Sequence, residues 1–242
     1  MCGIVGYIGH RQAYPILIKG LQRLEYRGYD SAGIALLDDD IMNYKRKGKV
    51  ADLEQFCKGK NIKSTIGIGH TRWATHGVPN DVNAHPHYSQ DKSISIIHNG
   101  IIENYASIKK TLETEGYVFT SQTDTEVLPH LFNKYLKKGY DFLQAGRLVL
   151  KDIKGAFAFV AICLDFPDQL FVSRNSSPLT IGLGEGSNFV GSDAQSINHL
   201  TNKIIYLEDG DYALIKVNNI EIFDKNSNNC LLYTSPSPRD RG

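Results

Sequence analysis

The sequence has almost no net charge: 27 lysines and arginines stand against 26 aspartates and glutamates in 242 residues. A chain that grips nucleic acid or an anionic membrane surface ordinarily concentrates a basic excess, so neither a nucleic-acid nor a membrane partner is expected. Cysteine is scarce as well, with Cys2, Cys57, Cys163 and Cys230 far apart and no CxxC pair. That spacing excludes a zinc ribbon and suits free thiols in a reducing compartment better than a disulfide framework. No apolar run approaches the roughly 20 residues that span a bilayer. The first residues lack a charged segment followed by an apolar one, which predicts a cytoplasmic chain without a secretory leader. The length fits one large domain with a sizeable core.

What the sequence does have is short apolar or alternating runs. "CGIVGYI", "AGIALLD", "TIGIGHT", "SISIIHNG", "AFAFVAICLD", "LFVSR", "LTIGLG", "FVGSD", "KIIYLEDGDYALIKV" and "EIFD" read as strands. Helical periodicity is clearest over Tyr14 to Arg23, where Ile16, Leu17, Leu21 and Leu24 share a face. Asn104 is placed to cap a helix over "YASIKKTLETEG", closed by Gly116. Further amphipathic stretches run from Thr125 to Lys138 and from Asp141 to Ile153. Strands and helices come in clusters, which predicts an α+β fold with antiparallel sheets rather than strict βαβ alternation. The closely spaced glycines of "GLGEGSNF" precede a strand and read as a hairpin rather than a phosphate loop. After Lys225 the serines, prolines and charges of "SPSPRDRG" replace the periodic pattern, so residues 226–242 are expected to form a disordered tail.

Five stretches mix ionisable or amide groups with glycine at predicted strand ends: "MCGIVG", "LEYRGYDSAG", "GHTRWATHG", "HNGIIEN" and "SQTDTEV". Binding and catalytic groups concentrate at such ends. If Met1 is removed, Cys2 carries a nucleophilic thiol and a free α-amino group of pKa near 7.7 to 8.0, a nucleophile and a general base on one residue. If it stays, Cys2 is a small apolar residue starting a strand. Asn99 and Gly100 offer a side-chain amide and a backbone N–H suited to an oxyanion, or an ordinary Asn-Gly turn. Arg72 has the planar fork that clamps a carboxylate. Asp124 is either the counter-charge for an α-ammonium or a helix cap. His70, His76, His85 and His87 are close in sequence but lack acidic or thiolate companions at a familiar metal spacing, so structural or substrate-lining roles are expected and no metal or cofactor is assigned.

Read in order, "MCGIVGYIG", "RLEYRGYDSAGIA", "IGHTRWATHG", "NAHPH", "IIHNGIIENY", "SQTDTEV", "SSPLTIGLG" and "EIFDK" resemble the N-terminal glutaminase domains of glutamine–fructose-6-phosphate aminotransferases, also called glucosamine-6-phosphate synthases. These are class II glutamine amidotransferases within the N-terminal-nucleophile (Ntn) hydrolases, and the likeness extends over residues 2–225. It implies a four-layer αββα sandwich: two stacked antiparallel sheets flanked by helices. It implies that Cys2 attacks the side-chain amide of L-glutamine, with Asn99 and Gly100 as oxyanion donors and Arg27 beside the nucleophile. Arg72, Thr75, His76 and Asp124 would bind the substrate, and Trp73 would gate ammonia. Complete members of the family carry a sugar-isomerase domain that takes fructose 6-phosphate, and a homodimer is allowed there; this sequence contains no match to that domain. A non-catalytic module with the same fold, or the glutaminase domain of another class II amidotransferase, stays as the alternative.

Overall fold

Alternation along the first strand demands cover on both faces. In β1 (Gly3–Gly9), Ile4 and Ile8 enter one apolar core while Val5 and Tyr7 enter another, and the strand is buried throughout. The computed structural model describes residues 2–60, 62–73 and 80–230. After β1 come α1 (Ala13–Gln22), β2 (Ser31–Leu37), β3 (Ile41–Lys47), α2 (Val50–Cys57), β4 (Ile66–Arg72), β5 (His87–Tyr88) and β6 (Ile94–Ile102). The chain continues through α3 (Tyr105–Thr114), α4 (Val127–Lys137), α5 (Phe142–Asp152), β7 (Gly155–Cys163), β8 (Leu170–Asn175), β9 (Thr180–Gly184) and β10 (Ser187–Gly191). It closes with β11 (Lys203–Tyr206), β12 (Tyr212–Ile215) and β13 (Ile220–Phe223).

These strands make a seven-stranded sheet, ordered β11-β9-β10-β1-β4-β2-β3, and a six-stranded sheet, ordered β13-β12-β8-β7-β6-β5. Neighbouring strands are antiparallel in both. Ile4, Ile68, Ile97, Val160, Val172 and Val190 meet in the core between the sheets. On the outside of the first sheet, α1 and α2 bury Leu17, Leu21 and Leu53 against Val5, Tyr7 and Ile34. On the outside of the second, α3, α4 and α5 bury Leu112, Phe132 and Val149 against Phe159 and Phe171. The result is the expected αββα sandwich. No helix among the described residues is long and apolar enough to cross a membrane.

Several local expectations are refined. The predicted face of α1 is the buried one, with Ile16, Leu17 and Leu21 in the outer core and Leu24, just past the end of the helix, beside them. Asp141 begins α5 with a reciprocal capping box, its carboxylate accepting the Gln144 N–H at 2.8 Å while Gln144 accepts the Asp141 N–H at 3.1 Å. Asn104 precedes α3, but its side chain spans to the end of α5 instead of capping: Nδ2 donates to the Asp152 carbonyl at 2.8 Å and Oδ1 accepts the Lys154 N–H at 2.9 Å. "KIIYLEDGDYALIKV" is not one strand. It turns at Glu208–Asp211, so that β11 joins β9 in one sheet and β12 joins β8 in the other. β3 and α2 were not anticipated, because β3 is an edge strand whose charged and polar side chains hide its alternation. Asn226 to Cys230 turn back onto β13, with the Cys230 N–H donating to the Ile222 carbonyl at 2.8 Å; residues 231–242 lie outside the described residues.

Candidate active site

The sandwich brings the start of β1, the end of β4 and the second half of β6 together. Antiparallel pairing sets Gly3 opposite Thr71 within the first sheet, so Cys2 stands beside the Arg72–Trp73 end of β4. The Cys2 Sγ accepts the Trp73 backbone N–H at 3.2 Å and its S–H faces the Trp73 carbonyl at 3.6 Å. Asn99 and Gly100 form no strand-ending turn but lie within β6 of the other sheet, opposite Ala158 and Phe157 of β7, and Asn99 donates from Nδ2 to the Cys2 carbonyl at 3.1 Å. That bond ties the two sheets together at the candidate nucleophile.

Each remaining candidate has a definite place. Arg27 donates from Nη1 to the Ser192 hydroxyl at 3.1 Å, and the same oxygen accepts the Ile4 N–H at 3.0 Å. The arginine is thereby anchored to β1 two residues beyond Cys2. Arg72 is 4 % exposed, at the end of β4. Trp73 is 53 % exposed, and its ring lies over Gly28, where a Cβ would stand 2.3 Å from Cε3. Asp124 opens a 3₁₀ turn ahead of α4 without capping it; its Oδ2 accepts the Ile102 N–H at 2.7 Å, three residues past Asn99. Gly100 has φ +114°, and a Cβ on it would fall 2.0 Å from the Ala156 carbonyl oxygen of β7. Thr75 and His76 lie outside the described residues.

Burial pushes the Cys2 thiol above its ordinary pKa, against the opposing pull of the Trp73 N–H and the Arg72 guanidinium. In the chain that retains Met1 this shift favours the thiol over the thiolate, so attack requires a proton acceptor.

The family model for the glutamine amidotransferase domain matches residues 70–199, more than half of the chain. The chain belongs to this family. Among curated relatives, glutamine–fructose-6-phosphate aminotransferase [isomerizing] of Bacteroides thetaiotaomicron is 55 % identical over 219 residues, covering 89 % of this chain and 36 % of that protein. The enzyme of the same name from Aquifex aeolicus is 48 % identical over 93 % of this chain and 38 % of its own length. The chain thus spans little more than a third of these relatives. Among solved structures, glutamine phosphoribosylpyrophosphate amidotransferase from B. subtilis superposes with a TM-score of 0.79 at 27 % identity, over 94 % of this chain and 50 % of that one.

Behind the candidate site of this glutamine amidotransferase lies a histidine cluster that sequence reasoning saw only in pieces. His70, His85, His87 and His98 are all buried. The His70 ring lies 4.2 Å from that of His85, which meets His87 edge-on at 4.7 Å. The Thr125 hydroxyl bridges His85 Nε2 and His98 Nδ1, each at 2.9 Å, and Thr123 reaches His87 Nε2 at 3.1 Å. β3 holds the approach to the cluster, with Lys45 Nζ donating to the Val82 and Ala84 carbonyls at 3.1 and 2.8 Å. Ser192, Thr125 and Lys45 were not singled out from sequence, since a lone serine, threonine or lysine carries no signal without its partners.

Burial lowers the pKa of all four rings, that of His70 to about 3. Unfolded histidine titrates near 6.5. The stability linked to these neutral rings is therefore fully present above about pH 6.5 and is lost as pH falls toward the folded values, because the unfolded chain binds protons that the folded chain refuses. Each ring adds a slope of up to about 1.4 kcal/mol per pH unit. Urea unfolding should show stability dropping between pH 7.5 and 5, with proton uptake measurable by calorimetry in buffers of different ionisation heat. A flat response until carboxylates titrate near pH 4 contradicts this.

Proposed function

We propose that this chain hydrolyses the side-chain amide of L-glutamine to glutamate and ammonia, with Cys2 as nucleophile once Met1 is removed. The observation that carries the reading is the bond from Asn99 Nδ2 to the Cys2 carbonyl at 3.1 Å, which holds an amide donor against the backbone of a cysteine that can become N-terminal. The freed α-amino group takes the thiol proton as sulfur forms its bond to the amide carbon. Asn99 Nδ2 has a second hydrogen, and with the Gly100 N–H it stabilises the tetrahedral oxyanion. As the C–N bond breaks, the α-ammonium returns the proton to the amide nitrogen, which departs as ammonia. Water, deprotonated by the same amine, then opens the γ-glutamyl thioester and restores the thiol. Arg72 takes the substrate carboxylate and Asp124 its ammonium, Arg27 keeps β1 in place and Trp73 gates the ammonia; the family likeness assigns Thr75 and His76 to substrate binding as well.

The names of the relatives extend the proposal. Within a longer polypeptide the ammonia would aminate fructose 6-phosphate, held by the part of the relatives that the match leaves uncovered. Given L-glutamine and fructose 6-phosphate together, the purified 242-residue chain is expected to yield glutamate and free ammonia but no glucosamine 6-phosphate. Amino sugar among the products contradicts the division of labour, and absence of glutamate contradicts the hydrolase reading. Intact mass before and after a glutamine-analogue electrophile reports Met1 removal and labelling of Cys2 in one measurement. Arg72→Lys should raise KM by roughly tenfold or more with a smaller effect on kcat, because an ammonium cannot reproduce a two-pronged carboxylate contact. An unaltered KM would place the carboxylate elsewhere.

A further inference from the structure

Asn99 makes two side-chain contacts, and together they fix which way its amide points. Nδ2 lies 3.1 Å from the Cys2 carbonyl, and Oδ1 lies 2.9 Å from His70 Nε2. A carbonyl oxygen only accepts, so the NH₂ end must face Cys2 and the oxygen must face the imidazole. The imidazole nitrogen on that side must then carry the hydrogen. Were it bare, two acceptors would confront each other at His70, and turning the amide over would only move the clash to the Cys2 carbonyl.

We propose that His70, as the Nε2–H tautomer, is a positioning residue that holds the Asn99 carboxamide with its NH₂ group toward the nucleophile. This rests on the reading of Asn99 as an oxyanion donor. The rest of the ring's surroundings agree. His70 is 1 % exposed on β4, so no solvent competes for the nitrogen that faces Asn99 and a misplaced hydrogen there would leave a buried clash. The tilted ring contact with His85, itself tied through Thr125 to His98, holds the ring in place. Burial keeps the ring neutral, so a single hydrogen is available and its location matters. A histidine that merely filled space would need the packing but neither the bond to Asn99 nor a particular tautomer.

The test uses the 242-residue chain and its His70→Phe, His70→Gln, Asn99→Ala and His70→Phe/Asn99→Ala variants, assayed for glutaminase kcat and KM. His70→Phe keeps a ring without the donor and should lower kcat by about 10- to 100-fold with KM little changed, the scale expected when an oxyanion donor is misaligned. His70→Gln, with an amide N–H available to Oδ1, should recover most of that loss. In the Asn99→Ala background, His70→Phe should add less than about threefold, since no amide remains to orient. Equal losses in both backgrounds, or a KM effect without a kcat effect, overturn the proposal. A slow Asn99→Ala beside a His70→Phe of wild-type rate overturns it alone, whereas an Asn99→Ala of unchanged kcat overturns the oxyanion reading and this one with it. Histidine ¹⁵N NMR of the unsubstituted chain at pH 7 decides independently of whether any variant folds: an Nε2–H neutral ring at His70 supports the proposal, and an Nδ1–H or doubly protonated ring overturns it.

Discussion

Cys2→Ala is expected to abolish glutamine hydrolysis while leaving glutamine binding measurable by calorimetry. Removing a covalent nucleophile costs hydrolases roughly 10⁴-fold or more in kcat, because the remaining donors have no sulfur adduct to stabilise. No other cysteine can take over. Cys57 and Cys163 are buried in the two outer cores, where burial drives the Cys163 thiol up to about 12, and Cys230 sits beyond β13. Arg72 and Asp124 stay on β4 and on the turn before α4, so the proposed carboxylate and ammonium contacts survive the substitution. Labelling by a thiol-reactive electrophile should accordingly lose the one adduct that L-glutamine protects against. A Cys2→Ala chain that still released glutamate at a tenth of the normal rate would end the N-terminal-nucleophile reading.

Gly100→Ala should be nearly as damaging, for a reason visible only in three dimensions. The residue combines φ +114° with a would-be Cβ 2.0 Å from the Ala156 carbonyl oxygen, a backbone atom of the paired strand β7 that cannot rotate away. Relief requires β6 to shift around Gly100, and the Gly100 N–H and the Asn99 side chain shift with it. A displacement of about 1 Å at a catalytic donor can cost on the order of 10²-fold in rate. The strained backbone adds roughly 1–3 kcal/mol of destabilisation, readable by urea unfolding. Gly116→Ala provides the control: its φ is +91° with nothing within 4 Å of the new methyl, so it should lose stability without losing kcat. Wild-type kcat in Gly100→Ala would free Gly100 from any part in the oxyanion site.

The sequence by itself determined the elements and the chemistry of their ends. The apolar run "CGIVGYI" reads as a strand, the amphipathic stretch from Asp141 to Ile153 reads as a helix, and Cys2, Arg72, Asn99 and Asp124 each stand out as reactive groups beside small residues. These signals are local, set by side-chain periodicity and by backbone groups a few positions away. Where a neighbour distant in sequence supplies the cover, the signal fails: the edge strand β3 shows mostly polar side chains, and one apolar run feeds two different sheets through β11 and β12. The site as a site was decided only by the tertiary structure. Asn99 reaches Cys2 across 97 positions of chain because β1 and β6 lie in facing sheets, and His70 meets Asn99 because β4 neighbours β1 in the same stack. Thr125 joins His85 to His98, and Ser192 joins Arg27 to β1, for the same reason. Hydrogen bonds between side chains depend on distances of about 3 Å, and such distances between remote residues are fixed by how the two sheets stack and in what register their strands pair, neither of which any one stretch of sequence encodes.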